Sequence, residues 1–129
     1  MGTQKHVLVV DDEPAILRFV RIALSNLGYK VSVATSGEEG LRLAREVSPD
    51  IVLLDVLMVP MNGFDVLEKL RTFSRAPVIM FSARTDLACK AIERGAAGFV
   101  EKPFRPEDLA DKILAVLDES KPGTATPVG

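Results

Sequence analysis

Residues 51–63 read IVLLDVLMVPMNG. Ile51, Val52, Leu53 and Leu54 form an unbroken apolar run that leads straight into Asp55, with Pro49 before it and Pro60 after it. A run this short, bounded by prolines, has the pattern of a strand buried on both faces. A carboxylate at the end of such a strand is costly unless something offsets its desolvation. In open parallel sheets, ligands gather outside the carboxyl ends of the strands. Asp55 is therefore the first candidate for chemistry.

The flanking sequence repeats one theme. Residues 6–10 are a short apolar strand ending at Asp11-Asp12-Glu13, and Pro14 opens a helix where its missing N–H costs nothing. Ile16, Phe19, Val20, Ala23, Leu24 and Leu27 recur at helical spacing up to Gly28. Residues 29–34 alternate as a second strand, and Thr35 or Ser36 caps a helix with Leu41, Leu43, Ala44 and Val47 on its inner face. Gly63 turns the chain into a third helix with Phe64, Val66, Leu67 and Leu70 inward. Residues 77–81 (PVIMF) are another apolar strand, ending at Ser82. A short helix over 86–94 closes at Gly95, a fifth strand spans 98–101, and Pro106 starts a last helix carrying Leu109, Ile113, Val116 and Leu117. Five strand–helix pairs imply an α/β fold: a five-stranded parallel sheet with helices on both faces and the 51–55 strand at its centre.

At 129 residues the chain is long enough for one core. Residues 120–129 (SKPGTATPVG) lack apolar periodicity and read as a flexible tail or linker after a domain over 1–119. Sixteen Lys+Arg against 18 Asp+Glu give a net charge of -2, so no bulk field draws the domain to nucleic acid or anionic lipid. The single cysteine, Cys89, excludes an internal disulfide and reads as a small buried hydrophobe. No apolar run approaches the roughly 18 residues of a membrane span, and residues 7–10 are too few for a signal-peptide core. The expected compartment is the cytoplasm.

The strand ends gather the reactive side chains. Asp11 and Asp12 follow the first strand, Asp55 the third, Ser82 the fourth and Lys102 the fifth. Carboxylates brought that close raise one another's pKa, and a hard divalent cation with all-oxygen ligands relieves the repulsion; Mg²⁺ fits. An aspartate oxygen beside such an ion is a nucleophile toward phosphorus, with Lys102 neutralising charge and Ser82 donating to a phosphoryl oxygen. Taken singly these residues have plainer readings. The acidic triplet could be an N-terminal dipole partner for the first helix, Lys102 a solvated lysine, and Ser82 a strand-end hydroxyl bonded to backbone. Their convergence favours an aspartyl-phosphate site.

The motifs VLVVDDEP, LLDVLM…NG, FSA and GAAGFVEKPF, in this order at the strand ends, resemble the receiver domain of two-component response regulators. The resemblance covers about residues 7–117. It implies a CheY-like, flavodoxin-like (βα)5 fold with strand order 2-1-3-4-5. It also implies that Asp55 is the phosphoacceptor, that Asp12, Asp55 and the Leu57 backbone carbonyl ligate Mg²⁺, and that Asp11 acts mainly through water. Ser82 and Phe99 match the switch pair, Lys102 the family's lysine, and Lys102-Pro103 a cis peptide bond. The phosphoryl donor implied is a sensor histidine kinase or histidine phosphotransfer protein, and phosphorylation would alter the face of the fourth helix, fifth strand and fifth helix toward a downstream protein. Direct nucleic-acid binding and membrane insertion are not expected, and self-association through the last helix is compatible with the sequence. The domain would be a signalling protein rather than an enzyme.

The chain departs from the family pattern in two places. Pro60 stands one position late, with Val59 in its usual place, and the span from Ser82 to Gly95 is about two residues short, so either the fourth helix should be short or the loop before it tight. Leu57 and Arg84 flank the route of water to an acyl phosphate and are expected to slow its hydrolysis. Two other functions compete: a Mg²⁺-dependent phosphohydrolase or phosphotransferase with an aspartyl nucleophile, and an interaction module that no longer uses phosphate. No second acid follows Asp55 at short spacing, which weighs against the first, and Asp12, Asp55 and Lys102 are all present, which weighs against the second.

Overall fold

Alternate residues of the strands point to opposite faces, and here both faces are apolar. Val7, Val9, Ile51, Leu53, Ile79 and Phe81 form one core, and Leu8, Val10, Val52, Leu54, Val78 and Met80 another. The strands are β1 (His6–Val10), β2 (Lys30–Ala34), β3 (Ile51–Asp55), β4 (Val78–Ser82) and β5 (Gly98–Glu101). The helices are α1 (Pro14–Asn26), α2 (Gly37–Val47), α3 (Gly63–Leu70), α4 (Ala88–Glu93) and α5 (Pro106–Glu119). The structure, a computed structural model, describes residues 4–119. The tail expected over 120–129 lies outside the described residues.

All four strand pairings are parallel, in the order β2-β1-β3-β4-β5. Helices α1 and α5 cover the first core, and α2, α3 and α4 the second. The winding reverses between β1 and β3, which is where an open α/β sheet leaves a crevice for ligands. Asp11 and Asp55 stand at that crevice. As the apolar run of residues 51–54 requires, β3 is central and buried throughout.

Two local devices set the loop after β3. Asn62 caps α3 by accepting from the Asp65 N–H at 3.0 Å, while the Asp65 carboxylate accepts from the Asn62 N–H at 3.2 Å. Gly63 lies against the backbone of β3's end: a Cβ there would collide with the Asp55 carbonyl oxygen and stand 2.8 Å from the Val56 Cα. The loop itself contains a cis Val59–Pro60 bond, and Lys102–Pro103 is also cis.

The shortened span after Ser82 yields a 3-10 turn at Thr85–Leu87 and an α4 of six residues, which ends at Gly95 with φ +104. Two expectations need correction. The α1 stripe that faces the sheet is Leu17, Val20 and Leu24; Phe19 and Leu27 are exposed, and Ile16 and Ala23 half-buried. The six-residue set is wider than one sheet-facing stripe, and its edge looks toward the loop between β5 and α5, where Phe19 lies 6.2 Å from the Phe104 ring. Cys89 is exposed, not buried. Ala91 is the α4 residue that packs inward, and a residue two positions away on a helix points to the other side.

Candidate functional site

Strand length and register bring the side chains together. The Val56 N–H donates to the Phe81 carbonyl (3.0 Å) and the Lys102 N–H to the Ser82 carbonyl (3.0 Å), so the ends of β3, β4 and β5 are locked side by side. The Asp11 N–H donates to the Ala34 carbonyl at 3.1 Å, anchoring the end of β1. One carboxylate oxygen from each of Asp11, Asp12 and Asp55 lies within 4.8 Å of the others. Asp11 and Asp55 are buried and Asp12 is exposed.

Lys102 reaches into this group from β5. Its Nζ stands 3.2 Å from Asp11 Oδ2, 3.3 Å from Glu13 Oε1 and 3.4 Å from Asp55 Oδ1. The ammonium also sits 5.2 Å above the Phe81 ring, whose negative face favours a cation. Burial alone would lower the Lys102 pKa, but Asp11 and Asp55 outweigh it and hold the ammonium above its ordinary value. Asp55 is pushed up to about 7, chiefly by burial and then by the charge of Asp11, against the pull of Lys102 and the Leu57 N–H. Asp11 is raised too, chiefly by burial, although the Glu13 N–H donates to its Oδ1 at 2.9 Å.

Two buried like charges with one shared cation are under-neutralised. Asp11 Oδ2 is buried and faces the Lys102 ammonium at 3.2 Å with no other partner among the described residues. A buried, under-neutralised oxygen beside two further carboxylates is a donor set that fits a hard, oxygen-seeking cation such as Mg²⁺.

Ser82 is buried, and its Oγ accepts from the Arg84 N–H at 3.0 Å, which leaves the hydroxyl hydrogen available. Arg84 is itself exposed and turned onto Asp86, with Nε–Oδ1 at 3.0 Å and Nη2–Oδ2 at 2.6 Å. Leu57, whose N–H donates to the Asp55 carboxylate, is 49% exposed. Phe99 lies half-buried on β5 opposite Met80, packed against the α2–α4 core.

Glu13 is the residue the sequence reading passed over. It occupies the N-cap of α1, where Ser, Thr, Asp or Asn is preferred, and its side chain makes no capping bond. Its carboxylate instead accepts from the Lys102 ammonium at 3.3 Å. An ill-suited residue at a cap was the available signal. At the start of β1, His6 Nε2 meets Ser32 Oγ at 2.7 Å.

The chain matches the response regulator receiver domain family over residues 7–114. It belongs to that family and is a receiver domain of the two-component type. Among curated relatives, the transcriptional regulatory protein KdpE of Mycobacterium tuberculosis is 46% identical over 113 residues, covering 86% of this chain and 50% of that protein. A probable transcriptional regulator ycf27 of Guillardia theta is 41% identical over 119 residues, covering 91% of this chain and 47% of that protein. The chain thus spans about half the length of the curated relatives it matches. Among solved structures, chemotaxis protein CheY4 of Vibrio cholerae superposes with a TM-score of 0.83 at 33% identity, covering 88% of this chain and 99% of that one. The receiver domain of Francisella response regulator 1452 gives 0.85 at 27% identity, covering 92% of this chain and 100% of that one. The fold and family expected from the motifs are therefore borne out. No helix among the described residues is long and apolar enough to cross a membrane.

Proposed function

We propose that this receiver domain takes a phosphoryl group onto Asp55 from a phosphohistidine donor on a sensor histidine kinase or histidine phosphotransfer protein. The observation that carries the reading is the Asp55 carboxylate at the central strand's end, within 4.8 Å of Asp11 and Asp12 oxygens and 3.4 Å from the Lys102 ammonium. Asp12, Asp55 and the Leu57 carbonyl are the proposed direct ligands for Mg²⁺, with Asp11 acting mainly through water. When bound, the ion would supply charge neutralisation for the carboxylates and the incoming phosphoryl oxygens.

The chain's own residues account for the rest. An ionised Asp55 oxygen forms the new O–P bond as the donor's N–P bond breaks, and the departing imidazole keeps the electron pair. Lys102 meets the phosphoryl charge from the β5 side, and burial makes its attraction stronger than it would be in water. The Ser82 hydroxyl hydrogen turns to a phosphoryl oxygen. Phosphorylation adds roughly -1.5 to -2 charge at this edge, and the proposed readout is movement of Ser82 and Phe99 that reshapes the α4–β5–α5 face for a downstream protein. Leu57 and Arg84 at the rim would slow hydrolysis; a wild-type phosphoryl lifetime of seconds would contradict that. The domain works in the cytoplasm as a phosphorylated switch rather than a turnover enzyme, and residues 120–129 would serve as a tail or linker.

The test is intact-protein mass after incubation with a small phosphodonor, with and without Mg²⁺, for wild type and Asp55→Asn. The expected result is a Mg²⁺-dependent gain of one phosphoryl group that the variant lacks. A folded wild type that gains nothing would leave an interaction module that does not use phosphate.

A further inference from the structure

Lys102 has three carboxylate partners, and they are not equivalent. Asp11 and Asp55 are buried, with side chains 0% and 4% exposed, whereas Glu13 is 64% exposed. A buried carboxylate that loses its cation pays desolvation without return. An exposed one simply rehydrates. Glu13 is therefore the partner that Lys102 can leave at least cost. Its position also needs explaining, because it stands at the α1 N-cap without capping the helix. Its carboxylate reaches instead to a lysine 89 positions along the chain.

The geometry points to Glu13 as a positioning residue that acts through Lys102. Before phosphoryl transfer, Glu13 takes a share of the ammonium that a phosphoryl group on Asp55 requires. Its release is then part of the cost of loading the site, so Glu13 sets how tightly the site holds a tetrahedral anion. This inference rests on the aspartyl-phosphate reading of the site.

Two substitutions separate contact from bulk charge. Glu13→Gln keeps the length and removes the charge. Glu13→Asp keeps the charge but is one methylene shorter, and Asp is a good N-cap, so its carboxylate should turn to the α1 N–H groups. The first readout is the affinity of the Mg²⁺-loaded domain for fluoroberyllate, a phosphoryl mimic. The second is the ¹⁵N chemical shift of the Lys102 ammonium in the metal-free domain. Both variants should tighten fluoroberyllate binding by about two- to five-fold, the range expected for losing a half-exposed ion pair. Both should also shift the Lys102 signal. A gain in Glu13→Gln alone would mark a bulk-charge effect and overturn the proposal, as would unchanged affinity in both. If wild type binds no fluoroberyllate and takes no phosphoryl group, the aspartyl-phosphate reading fails. The ammonium signal then still decides the Glu13–Lys102 link, and a signal unmoved in both variants overturns it.

Discussion

Replacing Asp55 with Asn removes a charge that the fold holds at a loss. Burial and the charge of Asp11 push the Asp55 carboxyl up to about 7, so it resists ionisation in the folded state. With one pH unit worth about 1.36 kcal/mol, a carboxyl held that far above the ordinary range makes its ionised form cost on the order of a few kcal/mol. The sign follows from linkage. A raised carboxyl pKa means the folded state binds the proton more tightly than the unfolded chain. The stabilisation is fully present below about pH 4 and is lost as pH rises through about 7. An amide has the same shape and never ionises. In metal-free buffer at about pH 8, Asp55→Asn should therefore be more stable than wild type by about 2–4 kcal/mol. The upper end is reduced because Lys102 loses one of its carboxylates. For a domain of this size that is a rise in Tm of about 8–16 °C. The assay is thermal and denaturant unfolding of both proteins in a chelator, at several pH values, and then with added Mg²⁺. The gap should close toward pH 4. It should also narrow with the ion, because a ligand at 100 times its Kd stabilises by about 2.7 kcal/mol. An Asn variant equal to or less stable than wild type at pH 8 without metal would refute the reasoning. It would mean that Lys102 fully compensates Asp55 and that the site has no unmet demand for a cation.

Gly63→Ala should destabilise by about 2–4 kcal/mol in denaturant titrations, because its Cβ would meet the Asp55 carbonyl and the Val56 Cα rather than a movable side chain. Asn62→Ala should cost about 1 kcal/mol, the usual loss for an N-cap, and a value near zero would show that the capping box with Asp65 contributes nothing. Cys89 should react with a thiol reagent in the native state at nearly the rate of the unfolded chain, since it is exposed on α4; strong native protection would contradict that placement.

The one-dimensional pattern carried much of this protein. Short apolar runs punctuated by Pro and Gly marked β1, β3 and β4, because a strand buried on both faces has no polar positions to break its run, whereas β2 was marked by alternation. The bounds of β1, β3 and β5 coincide with those read from residues 6–10, 51–55 and 98–101. The clustering of Asp11, Asp12, Asp55, Ser82 and Lys102 was legible too, since parallel strands put all their carboxyl ends at one edge. The helix faces were less so. Phe19 on α1 and Leu27 at its C-cap are as apolar as Leu17 and Leu24, and only the helix's seating on the sheet, with Leu17, Val20 and Leu24 inward, tells them apart. Cys89 carried no periodic signal on a helix of six residues, which is too short to define a stripe.

What no reading of the chain could supply is the sharing of one ammonium among three carboxylates. Glu13 and Lys102 lie 89 positions apart. Their meeting depends on β1 and β5 ending at the same edge, on the strands between them, and on which of Asp11 and Asp55 the burial leaves short of charge. Local sequence determined the elements and the residue types at their ends. Tertiary structure decided the dielectric around each charge and therefore which carboxylate is held above its ordinary pKa.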